Sequence, residues 1–150
     1  MEQLFSIDLG VLHAKTAVSQ VSARHSNTRV PHNPIGNGDK VCVGGGAGFI
    51  GSHMVWALLD AGEEVVVVDR LSTGFRWAVA PAARFYLGDI GKPNVLRQVF
   101  VENDIEAIIH FAGSIVVPES IANPLSYYEN NTENTRRLLA AAVKAGIDKV

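Results

Sequence analysis

Between an apolar triplet, Val41-Cys42-Val43, and a stretch of helical periodicity runs the string Gly45-Gly46-Ala47-Gly48-Phe49-Ile50-Gly51. Nothing else in the chain limits its fold so tightly. Glycines at every third position let a backbone leave a strand, turn sharply and enter a helix without a side chain in the way. The triplet before the string is short and apolar and reads as a buried strand. The helix after it spans Ile50 to Asp60, with Ile50, Met54 and Leu58 at helical spacing and Val55 and Leu59 one face over. Gly62 is its stop, as glycine commonly is just past a helix end. Val65 to Val68 is a continuous β-branched run, the pattern of a parallel strand covered on both faces. Asp69 closes that run.

The alternation continues. Arg84–Leu87 reads as a strand, Pro93–Glu102 as a helix with Pro93 in its first turn, and Ala107–Phe111 as a fourth strand. Pro124–Ala145 contains a long helix, with Leu138, Leu139, Ala142 and Val143 as its apolar stripe and Gly146 as its stop. Lys149-Val150 begins a fifth strand. Strand and helix alternating in this way predict an α/β fold, a Rossmann-like doubly wound parallel sheet cut short at strand five. An apolar fourth strand left at the sheet edge would favour self-association.

Residues 1–38 follow no such pattern. They read as an N-terminal extension, loop or poorly ordered, ahead of a domain over 39–150; only Met1 to Lys15 suggests a short helix or strand. His13, His25 and His32 match no metal-ligand spacing. Cys42 is the single cysteine, so no internal disulfide forms, and it reads as a small buried strand residue. A formal net charge of −2 with both signs scattered gives no footprint for nucleic acid or an acidic membrane. No apolar run reaches the ~20 residues of a membrane span. Glu2 and Asp8 sit where a signal peptide would be basic and apolar, so a cytoplasmic protein is expected.

Three conditions meet at the glycine string. It follows a strand, it opens a helix, and an acid, Asp69, stands 18 residues beyond Gly51 at the end of the next strand. Gly45 allows the tight turn, Gly48 lets the backbone approach a pyrophosphate, and Gly51 lets the helix pack closely on the sheet. The helix N-terminus then offers free N–H groups and partial positive charge to the phosphates. Asp69 would accept from the ribose hydroxyls of the adenosine half and repel a 2′-phosphate, which favours NAD, although Arg70 beside it keeps NADP open.

The Gly-x-x-Gly-x-x-Gly spacing resembles the extended short-chain dehydrogenase/reductase superfamily. Gly88-Asp89-Ile90, His110-Phe111-Ala112-Gly113, Glu119-Ser120, Pro124-Leu125 and Tyr127-Tyr128-Glu129-Asn130-Asn131 follow in the order seen in its nucleotide-sugar epimerases. The resemblance runs from about Lys40 to Val150. It implies NAD as cofactor, with Phe49 and Ile50 meeting the pyrophosphate through their backbone. It places Asp69, Arg70, Leu71, Ser72, Thr73 and Gly74 around the adenosine ribose and Asp89 and Ile90 beside the adenine. Phe111, Ala112 and Gly113 would line the nicotinamide side, with Asn130 hydrogen-bonding nearby. Gly44 stands where the family usually has Thr, and Ile115 where many epimerases have Lys. His53 and His110 have no carboxylate placed for them and read as structural.

In this family the chemistry depends on a Ser and a Tyr-x-x-x-Lys unit. Neither Tyr86, Tyr127 nor Tyr128 is followed four residues later by Lys. The resemblance therefore implies the cofactor-holding part of an epimerase interconverting UDP-sugars, inactive by itself, with a UDP-sugar as substrate of a full-length form only. It also implies a homodimer through the 127–145 helix. Another sugar-nucleotide epimerase or dehydratase, a non-catalytic NAD-binding module and a remnant without function remain alternatives.

Overall fold

The computed structural model describes residues 38–150. The expected extension, except Gly38, and its three histidines lie outside the described residues. Four strands form one parallel sheet: β1 (Lys40–Gly44), β2 (Glu64–Asp69), β3 (Arg84–Leu87) and β4 (Ala107–His110), in spatial order β3-β2-β1-β4. The helices are α1 (Phe49–Asp60), α2 (Pro93–Glu102), α3 (Val117–Ala122), α4 (Pro124–Tyr127) and α5 (Asn134–Ala145). A π-helical stretch, Tyr128–Glu133, joins α4 to α5. A single 3-10 turn, Arg76–Ala78, follows β2.

Period-two alternation sorts the β-branched residues onto two faces. Val41, Val43, Val65 and Val67 turn to one side, where they meet Val55 and Leu58 of α1 and the loop residues Val79, Ala80 and Ala83. Cys42, Val66, Val68 and Ile108 turn to the other, against Leu96 and Val99 of α2 and Leu138 and Ala142 of α5. The sheet is thus covered on both faces, as the unbroken apolar run of β2 requires. Each such side chain taken fully out of water contributes roughly 1.5–3 kcal/mol before the entropy of ordering is counted. Cys42 is completely buried, and that burial pushes its thiol up to about 12.

Register sets where the loops emerge. Gly44 lies opposite Val68 on one side and His110 on the other, so β1, β2 and β4 end level with one another. The glycine turn, the segment after Asp69 and the segment after His110 therefore leave the same edge of the sheet. Strands β3 and β4 are its flanks. At β4, Ile108 N–H donates to the Lys149 carbonyl at 2.9 Å, and Ala107 bridges to Lys149 in parallel, which is the expected start of a fifth strand.

Two helix faces differ from the sequence reading. In α1 the buried residues are Gly51, Ser52, Val55 and Leu58, while Ile50 is exposed. The helix rests on its glycine side, which turns Ile50 to solvent. In α5 the buried positions are Asn134, Leu138 and Ala142, spaced by four, and Leu139 and Val143 face outward. The apolar stripe of the long helix is therefore two stripes, one packed and one open. Helix α3 adds to the expected elements: Val116 is its N-cap, and Pro118 stands in its first turn, where a missing N–H costs no helical hydrogen bond. Among the described residues no helix is long and apolar enough to cross a membrane.

Candidate functional site

The cleft at the C-terminal edge of the sheet is built around the glycine turn. Gly45 has φ +79°, and a Cβ there would sit 2.7 Å from both the Phe111 carbonyl carbon and the Ala112 nitrogen. Glycine is needed twice, for the left-handed backbone and for the passing strand end. At Gly51 a Cβ would collide with the Gly45 carbonyl oxygen, so α1 can lie this close to the turn only without a side chain. Gly48 differs. Its φ of −76° suits any residue, and a Cβ would meet only the Gly45 oxygen at 3.4 Å. What glycine leaves open at this position is space on the cleft side. Gly48 is also the N-cap of α1, and no side chain caps the helix and no acid stands in its first turn. The first amide groups of α1 therefore keep their donor capacity for a group arriving from the cleft.

Asp69 ties the two loops together. Its Oδ2 accepts from the Ala47 N–H at 2.9 Å in the glycine turn, and its Oδ1 accepts from the Leu71 N–H at 2.7 Å. Each oxygen retains a lone pair, and the residue lines the cleft although only 9% of it is exposed. Leu71 holds a positive φ of 57°, which bends the chain back over the carboxylate. Arg70 turns aside: its Nε donates to the Ser72 hydroxyl at 3.2 Å and its guanidinium lies 3.5 Å from Asp89. The other Asp89 oxygen accepts from the Gly91 N–H at 2.8 Å.

The opposite wall is held from the long helix. The π-helical stretch brings Asn130 and Asn131 side by side toward the segment after β4. Asn131 clamps Ser114 at both ends, its Oδ1 accepting from Ser114 N–H at 2.7 Å and its Nδ2 donating to the Ser114 carbonyl at 2.9 Å. Asn130 donates to the Ser114 hydroxyl at 2.9 Å and to the Ala112 carbonyl at 3.3 Å. The Tyr127 hydroxyl reaches the Val116 carbonyl and a Glu119 oxygen, each at 2.8 Å, and accepts from Val116 N–H. Partial burial first, then the Glu119 carboxylate, raises the Tyr127 hydroxyl above its ordinary value, so it stays protonated at neutral pH.

Most of the residues singled out in the sequence come together here. Gly45, Gly48, Asp69, Arg70, Ser72, Thr73, Gly74, Asp89, Ile90, Phe111, Ala112, Gly113 and Asn130 line one cleft. Gly51 and Leu71 lie behind it as supports. Phe49 and Ile50 point their side chains into solvent and are not among the residues lining the cleft. Ser114, Glu119, Tyr127 and Asn134 line the cleft too, and sequence reading passed over them as site residues. The available signal was the spacing of Tyr127, Asn130, Asn131 and Asn134, at i, i+3, i+4 and i+7, which is one polar helix face. Ile115 sits at the rim, 85% exposed.

Gly44 and the two histidines lie outside this lining. A Cβ at Gly44 would collide with Ile90 Cδ1 and lie 3.2 Å from His110 Nδ1. Thr135 donates its hydroxyl to the Asn131 carbonyl, so the His110–Thr135 contact of 3.1 Å is a donation from His110 Nε2. Nδ1 is then bare, buried and without a hydrogen-bond partner among the described residues, and burial lowers the basicity of the ring. His53 is a surface residue whose Nδ1 donates to the Phe49 carbonyl at 2.7 Å.

Comparison with known proteins agrees with this geometry. Residues 41–150 match the family described as NAD dependent epimerase/dehydratase. The chain is 52% identical over 111 residues to a UDP-glucose 4-epimerase of Azospirillum brasilense, covering 74% of this chain and 32% of that protein. It is 53% identical over 110 residues to one of Lacticaseibacillus casei, covering 73% and 33%. The crystal structure of the Brucella ovis UDP-glucose 4-epimerase in complex with NAD superposes with a TM-score of 0.69 at 42% identity, covering 72% of this chain and 33% of that one. The chain thus spans about a third of the length of the relatives it matches. With the family model matched over residues 41–150, on a Rossmann-like parallel sheet that carries the glycine turn and an acid closing the second strand, the chain belongs to the NAD dependent epimerase/dehydratase family.

Proposed function

We propose that this chain holds NAD across the C-terminal edge of its sheet and serves as the cofactor-binding part of UDP-sugar 4-epimerisation. The observation that carries the reading is the pairing of an uncapped α1 N-terminus with the buried Asp69 carboxylate on one cleft. The pyrophosphate would lie against Gly48 and the first amides of α1. The adenosine ribose would meet the remaining lone pairs of Asp69, and the adenine would rest against Asp89 and Ile90 beyond it. The nicotinamide half would lie toward Phe111–Gly113. A 2′-phosphate would face the Asp69 carboxylate, and Arg70, engaged with Asp89 and Ser72, is drawn away from it.

When bound, NAD supplies a reversible hydride acceptor for a secondary alcohol carbon. This chain's own residues bind and orient it. Asn131 and Asn130 fix the wall beside the nicotinamide half, and Tyr127, kept protonated, anchors Val116 rather than acting as a base. The sequence carries no Tyr-x-x-x-Lys to take the sugar hydroxyl proton, so epimerisation is assigned to a form that includes one. The exposed Leu139 and Val143 on α5 offer a face for a second copy. Titration of the chain with NADH, followed by cofactor fluorescence, tests the reading. Saturable enhancement that weakens at least tenfold in Asp69→Asn supports it; no enhancement, or equal affinity in the variant, refutes it.

A further inference from the structure

Phe111, Ala112, Gly113 and Ser114 form one wall of the cleft and follow directly on His110, the last residue of β4. Both ends of this wall are tied to the same stretch of the long helix. At the far end Asn131 holds the Ser114 N–H at 2.7 Å and the Ser114 carbonyl at 2.9 Å. At the near end His110 Nε2 donates to the Thr135 hydroxyl at 3.1 Å, and that hydroxyl donates onward to the Asn131 carbonyl at 2.8 Å. The two anchors are four residues apart in the helix and bonded to each other. Between them the wall makes a tight turn, with the Gly113 N–H donating to the Phe111 carbonyl at 2.8 Å.

Among the described residues the Thr135 bond is the one polar tie of the His110 ring. The other ring nitrogen, Nδ1, lies against Gly44, which offers it no side chain, and has no partner there. The base of the wall is also fixed to β1, the Phe111 N–H donating to the Gly44 carbonyl at 2.7 Å. Beside it a Cβ at Gly45 would sit 2.7 Å from the Phe111 carbonyl carbon and the Ala112 nitrogen. The wall therefore passes within contact of the glycine turn, and its distance from that turn sets the width of the cleft on this side.

The geometry points to His110 and Thr135 as a positioning pair for the nicotinamide half of the dinucleotide. Neither residue lines the cleft. They act through Phe111–Gly113, holding the wall in the place where it meets the ligand, so that binding does not have to order it. This inference rests on NAD occupying the cleft with its nicotinamide half toward Phe111–Gly113. The adenosine half, on the far side of the glycine turn, does not depend on the pair.

The test is calorimetric titration of the 150-residue chain with NAD and with ADP-ribose, which keeps the adenosine half and lacks the nicotinamide. Thr135→Val keeps the shape and removes the hydroxyl; Thr135→Ser keeps the hydroxyl. Thr135→Val should weaken NAD about 5- to 10-fold, the worth of one hydrogen bond, and leave ADP-ribose within twofold of wild type. Thr135→Ser should bind both ligands within twofold of wild type. His110→Phe breaks the same bond from its other end and should give the same pattern, with the double variant falling no further, because the two side chains act through one contact. NAD affinity within twofold of wild type in Thr135→Val overturns the inference alone. So does an equal loss for both ligands, which would mark a structural role, a failure of Thr135→Ser to retain affinity, or additive losses in the double variant. Absence of NAD binding by the wild type overturns the proposed function together with this pair's role.

Discussion

Replacing Gly48 by Asp separates the stability of the fold from its use. The backbone there has φ −76° and ψ 173°, the ordinary geometry of an N-cap, and a Cβ would meet nothing nearer than the Gly45 oxygen at 3.4 Å. An aspartate fits and caps amides that no side chain now caps. The gain over glycine is a few tenths of a kcal/mol for the cap, plus about 0.3–1 kcal/mol for a negative charge at the positive end of α1. Ligand-free Gly48→Asp should therefore unfold at higher urea, by roughly 0.5–1 kcal/mol. For a pyrophosphate the same change is harmful twice. The amides are occupied, forfeiting charge-assisted bonds of about 1.5–3 kcal/mol. A carboxylate about 4 Å from a phosphate charge at an effective dielectric near 20 adds repulsion on the order of 4 kcal/mol. Even about half of that combined penalty is worth roughly 100-fold in affinity. Urea denaturation and NAD titration on the same preparation read both effects. An unchanged NAD affinity in a well-folded Gly48→Asp would refute the placement of the pyrophosphate at this turn.

Three further outcomes follow from burial. Glu63 is 4% exposed, and neither oxygen has a well-formed hydrogen bond among the described residues; burial, then the Asp39 carboxylate, raises its carboxyl, the Asp39 backbone opposing this, Glu106 adding to it and Lys149 opposing it. The folded state thus holds that proton more tightly than the unfolded chain, so the group favours folding below about pH 4.5 and opposes it once pH rises through the raised value. Glu63→Gln should stabilise the protein by roughly 1 kcal/mol at neutral pH, and urea midpoints against pH should show the advantage vanish in acid. With its thiol pushed up to about 12, Cys42 should resist iodoacetamide at pH 8 until urea is added, and stoichiometric labelling of the native chain within minutes would contradict the burial. Leu138→Ala should cost about 2–5 kcal/mol, whereas the neighbouring Leu139→Ala, 43% exposed, should stay within about 0.5 kcal/mol; equal costs would mean that α5 packs by another face.

The legible parts of this protein are those that backbone chemistry dictates locally. Gly45 and Gly51 are required by a turn whose dimensions do not depend on the rest of the chain. The β-branched run of β2 announces a strand buried on both faces, and the acid at its end is fixed by the register that brings Gly44 level with Val68. What was not legible depends on partners distant in sequence. Nothing near Asn134 reveals that Gly91 lies against it, and Ser114 becomes a site residue only because Asn131, 17 positions on, holds both its ends. The π-helical stretch that aims these amides leaves no mark in the spacing. Leu139 and Val143 misled for a related reason: helical periodicity identifies apolar faces, and only the packing of Leu138 and Ala142 on the sheet decides which of them is inside.

The central claim is that this cleft selects NAD through Asp69. Isothermal titration of the purified chain with NAD and, separately, with NADP tests it directly. Saturable binding of one NAD per chain is expected, with NADP at least tenfold weaker, because a 2′-phosphate must approach a buried carboxylate. No heat of binding with NAD, or tighter binding of NADP, would contradict it.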